Sequence, residues 1–311
     1  MSDLLQALQD YLALRRALGF KLTDYGSALP KFISFLEQQG ASQITTELAL
    51  RWAVLPQGAQ PAEWARRLRM VRHFAVYCGA INPRTEIPPV GLLPYSYRRR
   101  RPYIYIDDEI GRLIRAASRL PSRRGLRSES YSTLFGLLAV TGMRVGESVR
   151  LDRDDLDLDR GLLTIRDTKF GKSRLVPLHR STLQALSRYA KARDRVHPRP
   201  TTPSFFLSDT GRRPTYWSVL WTFVKLSHQI GLRGPSDRHG PRLHDLRHSF
   251  AVRTLLGWYR DGADVEQRLP QLATYLGHAH ITDTYWYLTA TPELLQLAAK
   301  RLDGREGGPR P

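Results

Sequence analysis

The stretch Arg242-Leu-His-Asp-Leu-Arg247-His-Ser-Phe250, followed by Tyr275-Leu-Gly-His278 and then Tyr287, gathers imidazoles, guanidiniums and phenols within a short length of chain. On a helix, His244 and Arg247 at i and i+3 project from one face and could meet the same phosphate from adjacent turns. The chain carries 48 Lys+Arg against 29 Asp+Glu, a formal net charge of +19. Such an excess favours a polyanionic partner, with DNA, RNA and an anionic membrane all compatible. Metal-free chemistry on a phosphodiester requires cations on the non-bridging oxygens, a nucleophile, and an acid for the leaving oxygen. Arg144, just past a helix end, and Arg247, on another helix, would supply two bidentate guanidiniums for one phosphate.

The elements that must position these groups follow from periodicity. At 311 residues, with 41% hydrophobic and 10% aromatic composition, the chain suits two globular domains. The spacing predicts helices over Ser2–Gly19, Tyr25–Gln39, a short one capped by Thr45 or Thr46, and one entered at Pro61. In the last of these, Trp64, Leu68, Val71, Ala75 and Cys78 form the inward stripe. Arg66, Arg67, Arg69 and Arg72 on the other faces read as a phosphate-contacting surface. Residues 83–105 are proline-rich and basic, an interdomain linker whose Arg98, Arg99, Arg100 and Arg101 are placed to follow a DNA backbone.

The second region opens with an acidic helix start at Ile106 and a mostly apolar helix over Tyr131–Thr141. The pattern then turns to period two around Leu162, Thr164, Arg174, Val176 and Leu178, predicting a β-hairpin with Lys169 and Lys172 at its tip. Phe205-Phe-Leu207 is expected as a third short strand. Further helices are predicted at Thr182–Arg193, Trp217–Ile230, Leu243–Trp258, Pro270–Leu276, Ile281 onward and Pro292–Leu302, before a loose tail. The fold class expected is mainly α with a small β-sheet, divided into a helical domain (1–82), the linker (83–105), a mixed α+β domain (106–302) and a tail (303–311).

Composition also excludes. Cys78 is the single cysteine, so neither an intrachain disulfide nor a multi-cysteine zinc site can form. No stretch approaches the ~18 consecutive apolar residues of a membrane span, and the N-terminus lacks a signal-peptide layout, so a cytoplasmic, nucleoid-associated protein without membrane partners is expected. His244, His248, His278 and His280 imitate a metal cluster, but Arg247 among them would repel a cation, so no metal site is assigned. His248 and His280 then read as satisfied polar residues or as supports for the site residues.

Taken in order and spacing, Thr141-Gly-Met-Arg144-Val-Gly-Glu147, the hairpin Lys169, His244-Asp-Leu-Arg247, Leu276-Gly-His278 and Tyr287 resemble the tyrosine recombinase (phage integrase) family over about Ile106 to Leu302. The N-terminal module resembles that family's core-binding, SAM-like domain. The resemblance implies that Arg144 and Arg247 bind the scissile phosphate, that Lys169 protonates the 5′-oxygen, that His244 serves in proton transfer and that His278 bonds a non-bridging oxygen. Glu147 would position the active-site cations. Lys172 is the rival for the acid and otherwise a backbone-phosphate contact.

Of Tyr275, Tyr285 and Tyr287, the last lies nine residues after His278, the family spacing, and would be the nucleophile. The Tyr-Trp-Tyr-Leu form resembles integrases of transposon-like elements. The resemblance implies a 3′-phosphotyrosine intermediate, passage through a Holliday junction, a homotetramer on double-stranded DNA (alone or with related recombinases), and no metal, ATP or other cofactor. Two other readings use the same residues: a catalytically inactive architectural DNA-binding protein, and a type IB topoisomerase-like nicking-closing enzyme.

Overall fold

The computed structural model describes residues 3–95, 101–166, 173–237, 239–289 and 291–306. They divide into two compact units, Met1–Arg100 and Arg101–Pro311. The first is all helical: α1 (Asp3–Ala17), α2 (Thr23–Gln38), α3 (Thr46–Val54) and α4 (Pro61–Gly79). Thr45 caps α3 by accepting the Leu48 N–H, and Pro61 occupies the first turn of α4, where its missing N–H costs nothing. Leu8 and Tyr11, Phe32 and Leu36, Trp52, and Phe74 and Cys78 recur at helical spacing and meet in one core. Trp64, expected in that stripe, is only half-buried and donates its indole N–H to the Pro56 carbonyl.

The second unit comprises α5 (Asp107–Ser118), α6 (Leu126–Thr141), α7 (Val145–Arg150), strands β1 (Leu156–Asp157), β2 (Leu162–Ile165) and β3 (Arg174–Pro177), then α8 (Arg180–Val196), α9 (Tyr216–Gln229), α10 (Asp245–Arg260), α11 (Val265–Leu276), α12 (Thr282–Tyr285), a 3-10 turn at Trp286–Thr289, and α13 (Pro292–Glu306). The fold is therefore mainly helical with one three-stranded antiparallel sheet, in the order β1-β2-β3. Leu163 faces Val176 across the hairpin and both are buried, whereas Thr164 faces Leu175 on the open side. Helix α6 buries Tyr131, Leu134, Phe135, Leu137 and Leu138 in the main core, while Glu129 and Val140 stay exposed. A second core joins α10, α11, the 3-10 turn and α13 through Val252, Leu255, Leu272, Leu276, Tyr287 and Leu294.

Three expectations change. The third strand is Leu156–Asp157, not Phe205–Leu207. The backbone there is claimed by side chains instead: the Leu207 N–H donates to the Tyr189 hydroxyl and its carbonyl accepts from Ser130, while Phe205 and Phe206 pack with Tyr189. Helix α11 starts at Val265 rather than Pro270. Its cap Asp264 accepts the Gln267 N–H, and burial of Val265 and Leu269 offsets the one helix bond that Pro270 forgoes. Helix α13 runs past the expected end at Leu302 to Glu306. Among the described residues no helix is long and apolar enough to cross a membrane.

Gly142 closes α6 with φ of 60°, and a Cβ built on it would lie 2.6 Å from the Phe250 ring. Both the left-handed backbone and the close approach exclude a side chain. Gly142→Ala should therefore destabilise the protein by more than about 1 kcal/mol, read as a lowered denaturation midpoint. An unchanged midpoint would contradict this packing.

Candidate active site

The end of α6 delivers Arg144, which sits at the N-cap of α7. Its Nη1 donates to Glu147 Oε1 at 2.9 Å, its Nη2 to the Gly277 carbonyl at 3.2 Å, and its backbone N–H to Glu147 Oε2 at 2.9 Å. Arg247, one turn into α10 and 2% exposed, donates Nη1 to the Gly142 carbonyl and Nη2 to the Leu276 carbonyl, both at 2.8 Å. The carbonyls of α11's last turn thus orient both guanidiniums, at the end of the helix where its dipole favours cations. Burial draws Arg247 down to about 10, which leaves it cationic at neutral pH.

Burial alone would raise the Glu147 carboxyl, but hydrogen bonds and charge from Arg174, then from Arg144, outweigh it and hold the group at about 2. Arg174 was read from sequence only as a strand residue, yet its Nη2 and Nη1 reach Glu147 at 2.8 and 3.2 Å and its Nε reaches the Tyr275 carbonyl at 2.8 Å. The available signal was phase. Arg174 and Val176 share a strand face, so a charge stood where period two calls for an inward side chain. Three arginines against one carboxylate leave this cluster net positive, as an anion site requires.

His278 follows Gly277, the left-handed C-cap of α11. Its Nδ1 lies 2.7 Å from Thr284 Oγ1, and its ring is nearly parallel to that of Tyr287, with centroids 6.1 Å apart. Burial, then the charges of Arg247 and Arg144, push it down to about 4. His244 at the start of α10 is pushed to about the same value by desolvation from its protein neighbours and by Arg247, although one side of it is open to solvent. Both rings are therefore neutral near pH 7.

Tyr287 lies in the 3-10 turn, 2% exposed, with its hydroxyl 3.2 Å from His248 Nδ1 and its phenol within electrostatic reach of Arg247. His248 was expected to be a satisfied polar residue or a support for the site residues, and its Nδ1 contacts this phenol. Tyr285 is 47% exposed, and Tyr275 is stacked on Phe250 and pushed up to about 12 by burial. Of the three tyrosines, Tyr287 is the one placed with the arginines and histidines.

The other candidates separate. Lys169 and Lys172, and Arg98, Arg99 and Arg100, lie outside the described residues; Arg101 is exposed. On α4, Arg66 is paired with Asp24 and Glu63, Arg67 stacks 3.7 Å over Trp52 and donates to the Trp52 and Ala53 carbonyls, and Arg72 donates to the Pro88 carbonyl. These three guanidiniums, expected on faces away from the core, all bond within their own unit. Arg69 is exposed, lying 5.9 Å over Tyr95. Among the described residues no three His, Cys, Asp or Glu groups gather in a metal-binding arrangement. A cavity of about 660 Å³ between α5, α6 and α8 is lined by residues such as Ile114, Val140 and Arg188, and by none of the site residues.

The two depressed histidines set a pH dependence. Unfolded histidines take a proton near 6.5, the folded ones only near 4, so the unfolded state binds more protons between those values. Stability therefore rises with pH through that window and is lost as pH falls. His278→Asn should flatten this slope, measured as denaturation midpoints at pH 5 and pH 7; an unaltered slope would contradict the assignment.

The model of the phage integrase family matches residues 106–293. A Sinorhizobium fredii protein named as an integrase/recombinase, y4rB, is 51% identical over 310 residues, covering 98% of this chain and 98% of its own. The tyrosine recombinase XerD of Bifidobacterium longum is 30% identical over 286 residues, 88% of each chain. Among solved structures, the Tn1549 transposon integrase in complex with transposon right end DNA superposes with a TM-score of 0.66 at 17% identity, over 96% of this chain and 99% of that one, a likeness of fold. With the family's signature spanning the unit that holds Arg144, Arg247, His278 and Tyr287, this chain belongs to the phage integrase family, the tyrosine recombinases.

Proposed function

We propose that the chain is a site-specific DNA recombinase whose nucleophile is Tyr287. The observation that carries this reading is one cluster holding a phenol, two phosphate-sized guanidiniums and neutral imidazoles, with a net positive charge. Arg144 and Arg247 bind the non-bridging oxygens of the scissile phosphate and stabilise its five-coordinate transition state. The Tyr287 oxygen bonds to phosphorus as the bond to the 5′-oxygen breaks. The phenolic proton passes to a histidine, either His248, whose Nδ1 lies 3.2 Å from the hydroxyl, or His244, whose ring packs on that of His248, while the 5′-oxygen takes a proton from Lys169. His278 donates to a non-bridging oxygen.

The products are a 3′-phosphotyrosine and a 5′-hydroxyl, which attacks the linkage on a partner duplex. Two such exchanges pass through a Holliday junction in a homotetramer. The phosphotyrosine conserves the bond energy, so the scheme uses neither ATP nor a metal. Because Tyr287 is 2% exposed, DNA must draw the Trp286–Thr289 turn outward before attack. Kinship with integrases and the Tyr285-Trp-Tyr-Leu288 sequence support a role in moving a mobile element. The +19 charge supports the DNA partner, with affinity that falls as salt rises.

Nicked suicide duplexes built from the ends of the protein's own genetic element test the reading, in chelator and without nucleotide. The expected result is a denaturation-resistant adduct mapped by mass spectrometry to Tyr287. Tyr287→Phe should bind the duplex and form no adduct. Loss of the adduct in Tyr285→Phe would overturn the assignment, and tight binding without any adduct would favour an architectural role.

A further inference from the structure

We infer that Arg174 is a positioning residue for strand cleavage, acting through Glu147 and the last turn of α11 on Arg144 and His278. The inference rests on the recombinase reading above. Arg174 opens β3, and each of its three guanidinium nitrogens already bonds a protein oxygen. Its guanidinium spends three N–H groups on two partners. Two go to the two oxygens of Glu147, a bidentate fork, and Nε goes to the Tyr275 carbonyl. The planar group lies flat on Gly277: a Cβ there would stand 2.6 Å from Nη1 and 2.9 Å from Cζ.

The consequence is a regular arrangement at the end of α11. Three successive carbonyls each accept from a different arginine: Tyr275 from Arg174, Leu276 from Arg247 and Gly277 from Arg144. The next residue is His278. Three elements distant in sequence (β3, α10 and the α6–α7 junction) therefore converge on the turn that aims this imidazole. Both Glu147 oxygens are shared: Oε1 accepts from the Arg174 and Arg144 guanidiniums, and Oε2 from the Arg174 guanidinium and the Arg144 backbone N–H.

Charge accounting explains why a second arginine is needed. Glu147 with Arg144 alone is a neutral pair, in which the carboxylate competes with phosphate for the guanidinium. Adding Arg174 satisfies the carboxylate and leaves the trio with one net positive charge for the substrate. Lysine cannot reproduce this, since an ammonium lacks the planar fork that spans a carboxylate and a carbonyl together.

The test compares wild type, R174Q and R174K on the suicide duplexes, with adduct formation measured at saturating protein and duplex affinity measured separately. Expected is a roughly 10- to 100-fold slower adduct in R174Q, as misplacement of a charged group by about 1 Å produces. Duplex affinity should stay near wild type; the denaturation midpoint should fall, since a buried carboxylate loses a partner, with the variant still folded at the assay temperature, and R174K should remain slow. On a duplex whose scissile phosphate is replaced by a methylphosphonate, which lacks the anionic oxygen, the gap between wild type and R174Q should shrink. A merely structural role would leave that gap as wide as before.

Wild-type rates in R174Q, full rescue by R174K, an undiminished gap on the methylphosphonate, or losses of folding and affinity that match the loss of rate would each overturn the inference. A wild-type protein that forms no adduct would sink the recombinase reading and this inference together. An adduct in wild type with a fast R174Q would sink this inference alone.

Discussion

A buried carboxylate held between two guanidiniums is the interaction on which the candidate site depends. Removing Glu147 from water costs several kcal/mol unless its oxygens are bonded and its charge is met, and here Arg144 and Arg174 do both. The arrangement joins the α6–α7 junction to the hairpin. Since Arg174 and Arg144 also bond the end of α11, one electrostatic cluster fixes three elements that the chain visits far apart.

That cluster needs a rigid floor, which α6 provides. A helix that buries this many large side chains is held in the core, and its C-terminus then emerges at a fixed place. Gly142 turns the chain there with its carbonyl presented to Arg247, and two residues later Arg144 begins its bonds. Packing of Phe250 and Leu276 against Gly142 brings α10 and α11 to the same point, so the candidate site residues inherit their positions from ordinary core contacts.

Tyr287 shows the opposing demand. Its aromatic body belongs to the second core, with Leu255, Leu272 and Leu294, and its hydroxyl is met by His248. Burial keeps the phenol away from solvent, so in the proposed reaction it would have to move before meeting a phosphate. The 3-10 turn that carries it is short and joined to α13 through Leu294, so displacement of α13 and exposure of the tyrosine are linked by packing.

Much of this was legible in the residues. Period 3.6 in Leu29, Phe32, Ile33 and Leu36 and the helix stops at Gly40 and Gly142 each encode a local preference that needs no distant partner, whereas period two located the hairpin but marked Leu162 and Thr164 in the strand whose buried pair is Leu163 and Ile165. The ordered motifs carrying Arg144, His244, Arg247, His278 and Tyr287 likewise stand in the sequence, because the spacing of a motif is itself local. The roles of Arg174 and His248 did not stand there, nor did the inward commitments of Arg66, Arg67 and Arg72. A guanidinium on a helix face reads the same whether it meets solvent, a tryptophan ring or a carbonyl. Only the approach of elements far apart in the chain selects among those partners, and that approach is decided by how the apolar faces pack. The sequence therefore determined which elements form and which chemistry they carry, while the tertiary structure decided which charges are spent on holding the protein and which remain for a phosphate.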